Sequence, residues 1–247
     1  MEEIIISVVQ RTLVAGTPLL LGTVGEIISE RSGILNLGVE GVMAVGAVTA
    51  FIVTHHTGNP WLGLCAAIIA GMLISIVHAF ASVSLQSNQV VSGLALTMLG
   101  LGLAGLLGKP YVGKPLAIKI NAMPIPFLSD IPIVGSVLFN QSPFFYLAIL
   151  LAIGVWFMLE HTLLGIRIRS AGENPKATET QGVNVSLIRY LSVIAAGGFS
   201  AMAGAHLSIS YSKSWIEGMT AGRGWIVIAL TIFALWNPMR AVVGAFL

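Results

Sequence analysis

"QVVSGLALTMLGLGLAGLLG", residues Gln89 to Gly108, runs for 20 residues without one charged side chain. A bilayer-spanning helix needs about 20 apolar residues, and no water in the hydrocarbon core can satisfy exposed backbone groups, so such a run crosses as a helix or as part of a closed barrel. Its apolar residues are continuous rather than alternating, which selects the helix.

The rest of the chain repeats this pattern. Of 247 residues 56% are hydrophobic and 9% charged, against roughly 25% charged in a soluble domain. Helical spans are expected near 5–29, 34–54, 61–84, 89–108, 143–160, 187–208 and 223–236. The fold class is therefore all-α, a polytopic transmembrane bundle of about seven spans in one domain, 1–247. After Trp236, Asn237-Pro238 makes a turn, and residues 241–247 begin an apolar run far short of a span. An eighth span is expected to continue beyond it.

Residues 109–142 hold five of the ten prolines, a density that prevents a spanning helix. They read as a structured loop outside the bilayer core. The net charge of +2 is small and the basic residues are scattered, so nothing indicates a nucleic-acid partner. The single cysteine, Cys65, excludes an internal disulfide and is expected as a buried bystander within its apolar run. Met1-Glu2-Glu3 is acidic where a signal peptide has a basic start, so the first span should be retained. Placing loop 161–186 inside the cell puts Arg31, Arg167, Arg169, Lys176, Arg189 and Arg240 inside, against Arg11, Lys109, Lys114, Lys119, Lys213 and Arg223 outside. Six against six leaves orientation undecided by charge.

One polar stretch interrupts the oil: "RIRSAGENPKATETQG", Arg167 to Gly182. Asn174 suits a helix N-cap, Pro175 the first helical position, and Gly182 a left-handed terminator. The spacing predicts a helix of about two turns. Two turns span nothing, and the connection is longer than neighbouring helices require. It reads either as a solvated loop or as a capped helix offered to a cytoplasmic partner.

"LLGIRIRSAGENPKATETQGVNV" closely resembles the cytoplasmic coupling segment of permease subunits of ABC importers, in the class that handles ribose-like sugars, branched-chain amino acids and nucleosides. "GEIISERSGILNLGVEGVMAVGA" is similar to the signature after the first span in the nucleoside branch of that class. The resemblance runs over essentially the whole chain. It implies a multi-pass protein of the cell membrane, with 161–186 as a cytoplasmic coupling loop, 109–142 extracytoplasmic and the N-terminus outside. It further implies three partners: an ATP-binding cassette subunit, a second permease subunit, identical or not, and an extracytoplasmic solute-binding protein. Residues around Pro175 would sit in a groove of the ATPase. Glu173 and Lys176 would make rim contacts, Ala177, Thr178 and Gly182 would permit close packing, and Gly172 and Asn174 belong to the same coupling set. The chain lacks a GxxxxGK[ST] phosphate loop, so ATP would be used by the partner, with no cofactor on this chain and no enzymatic activity of its own.

Polar groups within spans are costly and ask for a reason. Asn36 and Glu40 lie at i and i+4 among several glycines, so they either line a broken helix near a translocation path or terminate a helix at the interface. Asn88 and Thr97 belong to a second polar cluster, of which residues 86–89 also fit an ordinary turn. Glu217-Gly218 resembles Glu40-Gly41, as an inverted repeat would leave it. Asn36, Glu40, Asn88, Thr97 and Glu217 are the candidate pathway residues. His55-His56 fall in a turn, and His78 and His206 stand singly, so packing or helix-end roles fit better than a metal site.

The expected function is uptake of nucleosides, with a simple sugar such as ribose or galactose as the alternative. An ion-coupled transporter using Glu40 or Glu217 is the rival from another class, and it leaves the capped 174–182 helix unexplained. No HExxH or GxSxG constellation supports a membrane enzyme.

Overall fold

The computed structural model describes residues 2–118, 120–129, 131 and 134–247. Met1 of the acidic start, Lys119 of the basic count and residues 130, 132 and 133 of the proline-rich loop lie outside the described residues.

The architecture is all-α. Helix α1 (Glu2–Arg31) is followed by α2 (Val39–Thr57), α3 (Pro60–Ala79), α4 (Gln89–Gly108), the short α5 (Val134–Leu138), α6 (Pro143–His161), α7 (Leu163–Glu173), α8 (Pro175–Thr180), α9 (Val185–His206), α10 (Arg223–Phe233) and α11 (Pro238–Ala245). Within the 109–142 loop, β1 (Met123–Pro124) pairs antiparallel with β2 (Asn140–Gln141). Asparagine starts many of these helices. Asn59, Asn88, Asn184 and Asn237 each accept hydrogen bonds from N–H groups of the first turn, and Pro60 and Pro238 occupy the position where a missing N–H costs nothing.

Among the described residues six helices are long and apolar enough to cross a membrane: Ile6–Arg31, Val39–Thr57, Pro60–Ser84, Gln89–Tyr111, Pro143–His161 and Val185–Tyr211. The chain is a multi-pass membrane protein. The seventh expected span is shorter than anticipated. Helix α10 has 11 residues, about 16 Å and thus half a bilayer. It begins after Gly222, whose φ is +82°, and the chain turns away at Leu235 and Trp236, both with φ of +52°. Two spans end in π-helical turns, Phe80–Ser84 after α3 and Leu207–Tyr211 after α9.

Helix α9 occupies the centre, against α1, α2 and α3. Its small residues allow backbones to approach, as lipid-embedded helices require: Gly46 of α2 lies on Ala201 and Gly71 of α3 on Gly197, where any side chain would collide. Helices α1 and α2 are mostly buried, whereas α3, α4 and α6 turn apolar faces outward, for example Leu73, Met98 and Leu150. Cys65, expected to be buried, belongs to that outward face of α3.

Candidate functional site

Two helices begin in mid-bundle after non-helical lead-in segments. The first lead-in, residues 32–38, joins α1 to α2, and nearly every polar group around it is paired. The Ser29 hydroxyl donates to the Ile34 carbonyl at 2.8 Å, and the Leu35 N–H donates to Gln89 Oε1 at 2.9 Å. His78 Nε2 donates to the Leu35 carbonyl at 3.2 Å, and the Asn36 N–H to Glu26 Oε1 at 3.0 Å. Asn36 Oδ1 accepts the Gly38 N–H at 2.8 Å, and the Thr97 hydroxyl donates to the Leu37 carbonyl at 2.8 Å. Asn36 Nδ2 and Glu26 Oε2 are buried without a partner in the protein.

The second lead-in, residues 212–222, joins the end of α9 to α10. It meets the first at Glu40, which is 5% exposed. One carboxylate oxygen accepts the Gly222 N–H at 2.8 Å and the other accepts the Gly224 N–H at 2.6 Å. A carboxylate in the first turn of α2 thus caps the N-terminus of α10, where free N–H groups and the helix dipole favour negative charge. Gly224 is required by closeness, since a Cβ there would lie 2.5 Å from the Glu40 backbone. The far end of α10 is tied to α1: Arg31 Nε donates to the Trp236 carbonyl at 3.2 Å, and the Trp236 indole N–H donates to Glu30.

At that same end lies the polar stretch. Asn174 Oδ1 accepts the Ala177 N–H at 3.1 Å and Pro175 opens α8. Gly182 has φ of +77°, as a left-handed terminator should. Thr178 is buried, while Glu173, Lys176 and Ala177 are exposed beside a groove of about 420 Å³ between α7 and α8. The stretch abuts the root of the first lead-in: a Cβ on Gly172 would lie 3.0 Å from the Gly33 nitrogen. Arg189 of α9 bridges the two, donating to the Ser32 and Ala171 carbonyls at 3.2 Å each.

Residues 8–247 match the family described as the branched-chain amino acid transport system, permease component. The chain belongs to that family. It is similar to the putative glucose ABC transporter permease protein TsgC13 of Haloferax volcanii, 48% identical over 96% of this chain and 73% of the relative. It is also similar to the guanosine ABC transporter permease protein NupQ of Bacillus subtilis, 38% identical over 97% of this chain and 79% of the relative. The nucleoside ABC transporter permease protein NupC of Lactococcus lactis is 34% identical over the same shares. No solved structure matches significantly.

In this permease Asn36, Glu40 and Thr97 come together where α2, α4 and the two lead-ins meet. Asn88 stands apart, exposed, capping α4 through the Val90 and Val91 N–H groups. Glu217 is exposed on the second lead-in beside Gly105 of α4. The Glu-Gly pairs hold different positions, Glu40 in the first turn of α2 and Glu217 ahead of α10. Sequence reasoning passed over Glu26, His78, Gln89 and Arg189 as site residues. A carboxylate inside the 5–29 run was the one available signal for Glu26; the others are polar groups whose partners lie distant in sequence.

Proposed function

We propose that this chain is the membrane-spanning permease subunit of an ATP-driven importer for neutral, hydroxyl-rich solutes of the sugar or nucleoside class. ATP-binding cassette subunits dock on α8 and the groove beside it on the cytoplasmic side, a second permease subunit completes the membrane unit, and an extracytoplasmic binding protein delivers the solute. ATP is hydrolysed in the partner; this chain transmits the motion.

The observation that carries this reading is the bridge from the capped α8 segment, through Gly172 and Arg189, to the root of the first lead-in. Displacing α8 displaces residues 31–33, hence the segment leading to Glu40 and the start of α10. Asn36, Glu40 and Thr97 frame the path at mid-bundle, and Glu217 faces the solute. Both oxygens of Glu40 are committed to backbone N–H groups, which argues against Glu40 as the ion ligand of a gradient-driven transporter. For the solute, the sequence signature favours a nucleoside, while the relative at 48% identity is named a glucose permease and those at 38% and 34% are named for guanosine and nucleosides.

The test is uptake of labelled guanosine and glucose by cells with and without the full-length protein, each competed by the other, with ion gradients collapsed while ATP is kept. Uptake that needs the chain and survives collapse supports the importer; uptake that dies with the gradients contradicts it. Replacing exposed Ala177 by Trp should leave the protein inserted while solute no longer stimulates the ATPase. Unchanged uptake in that variant would remove α8 as the docking element.

A further inference from the structure

We infer that the notch between α4 and the second lead-in is a subsite for one hydroxyl group of the translocated solute, formed by Glu217, Thr220 and Trp215. The inference deepens the importer reading above and rests on it.

The second lead-in is pinned at both ends and open between. At one end Gly113 donates to the Trp215 carbonyl and Leu116 to the Lys213 carbonyl; at the other, Glu40 holds Gly222. The intervening turn is shaped by Gly218 and Ala221, with φ of +69° and +47°. Arg223 Nη1 braces it by donating to the Met219 and Thr220 carbonyls at 3.0 and 3.2 Å. Residues other than glycine rarely adopt such a φ, and they do so where the surroundings impose it.

Inside this turn is a cavity of about 20 Å³, with Ala44, Ala104 and Gly105 on one wall and Trp215, Glu217 and Thr220 on the other. That volume accepts a single water-sized group. Two of its lining residues carry a buried polar atom with no hydrogen-bond partner in the protein: Thr220 Oγ1, and Trp215 Nε1, which lies against Gly108, the next turn of α4. Trp215 and Thr220 are each 1% exposed. Buried polar groups are ordinarily paired, so two orphans on residues that line one small cavity mark a place where a partner arrives.

Glu217 identifies the side from which it arrives. The residue is exposed beside Gly105, six residues inside the Tyr111 end of the α4 span, roughly 9 Å along the helix. A carboxylate at that depth is costly against lipid, so this face borders water or protein. The charges then select the ligand. An indole N–H repels a cation and a carboxylate repels an anion, whereas a neutral hydroxyl can donate to Glu217 and accept from Trp215 or Thr220. Sugars and nucleosides both carry that group.

The experiment uses the complete transporter in proteoliposomes, with D-glucose and guanosine as probes, each beside its series of single-position deoxy analogues. Thr220→Val removes a buried hydroxyl that has no protein partner, so its thermal midpoint should equal or exceed that of the wild type. Glu217→Gln keeps the shape and removes the charge. In either variant the rate ratio between the solute and one particular deoxy analogue should fall about tenfold, the worth of one hydrogen bond made in the rate-limiting step. If solute and every analogue slow by the same factor, or none slows, the notch holds an ordered water only and the inference is overturned. A clear loss of thermal stability in Thr220→Val would also overturn it, because the hydroxyl would then have a structural partner. Wild-type protein that moves neither probe with ATP overturns the importer reading itself, and that result is read before any variant is made.

Discussion

The two lead-in segments meet at one carboxylate and are otherwise held differently. Residues 32–38 are gripped along their length by Ser29, Gln89, His78, Glu26 and Thr97, each reaching a backbone group. Residues 212–222 are held through backbone groups, and the Trp215 indole N–H and the Thr220 hydroxyl have no protein partner. A segment whose backbone is held at successive positions by its own protein moves as a rigid piece with whatever pulls its root, even with Asn36 Nδ2 left unpaired. One with unsatisfied groups is suited to exchanging partners with something that passes. Under the proposed function the first lead-in would transmit motion and the second would meet the solute, with Glu40 the joint between them.

Removing the joint should have the largest effect. Glu40→Ala deletes two charge-assisted hydrogen bonds, to the half-buried Gly222 N–H and the buried Gly224 N–H, a loss of about 3–6 kcal/mol at roughly 1.5–3 each. Uptake should vanish and the thermal midpoint in detergent should drop. Glu40→Gln, which still offers one acceptor, should recover part of both. Wild-type stability in Glu40→Ala would mean that α10 does not depend on this cap, and the two segments would lose their common point.

Next comes the link between the capped 167–182 stretch and the first lead-in. Arg189→Met preserves the length of the side chain and deletes both donations to the Ser32 and Ala171 carbonyls. ATP hydrolysis should continue while the number of solute molecules moved per ATP falls by about tenfold, within the ordinary range of coupling between distant sites. An unchanged ratio of transport to hydrolysis would show that motion reaches the bundle by another route. The contrast drawn above would then lose its transmission half while keeping the solute half.

The long apolar runs made the spans legible, because hydrophobic length alone decides them. The coupling stretch was legible for a local reason: Asn174, Pro175 and Gly182 carry cap and terminator chemistry within nine positions. Breaks in helices were harder to read. Residues 34–38 are as apolar as a helix and were expected inside one, yet they are held out of it by Gln89, His78 and Thr97 from distant parts of the chain. Likewise the 223–236 run gave no hint of stopping after 11 residues, because the left-handed backbone at Leu235 and Trp236 is imposed by contacts with Glu30 and Arg31. Asn36 and Glu40 were singled out by a helical spacing that the structure does not keep, since Asn36 lies ahead of α2, and that Glu40 would cap a helix some 180 residues later was not contained in any local pattern.

The smallest expected effect is also the sharpest comparison. Thr97 and Thr220 are both buried threonines, 6% and 1% exposed, one on each side of the joint. Thr97→Val removes the donor to the half-buried Leu37 carbonyl, which should cost about 1–2 kcal/mol. Thr220→Val removes a hydroxyl with no protein partner and should cost nothing or slightly stabilise. Thermal unfolding of the two variants side by side, in the same detergent, reads the difference directly. Similar losses in both would show that the second lead-in is as internally satisfied as the first, and its assignment to the solute would fall. Opposite signs would mark the Thr220 hydroxyl as a group that a passing hydroxyl can use.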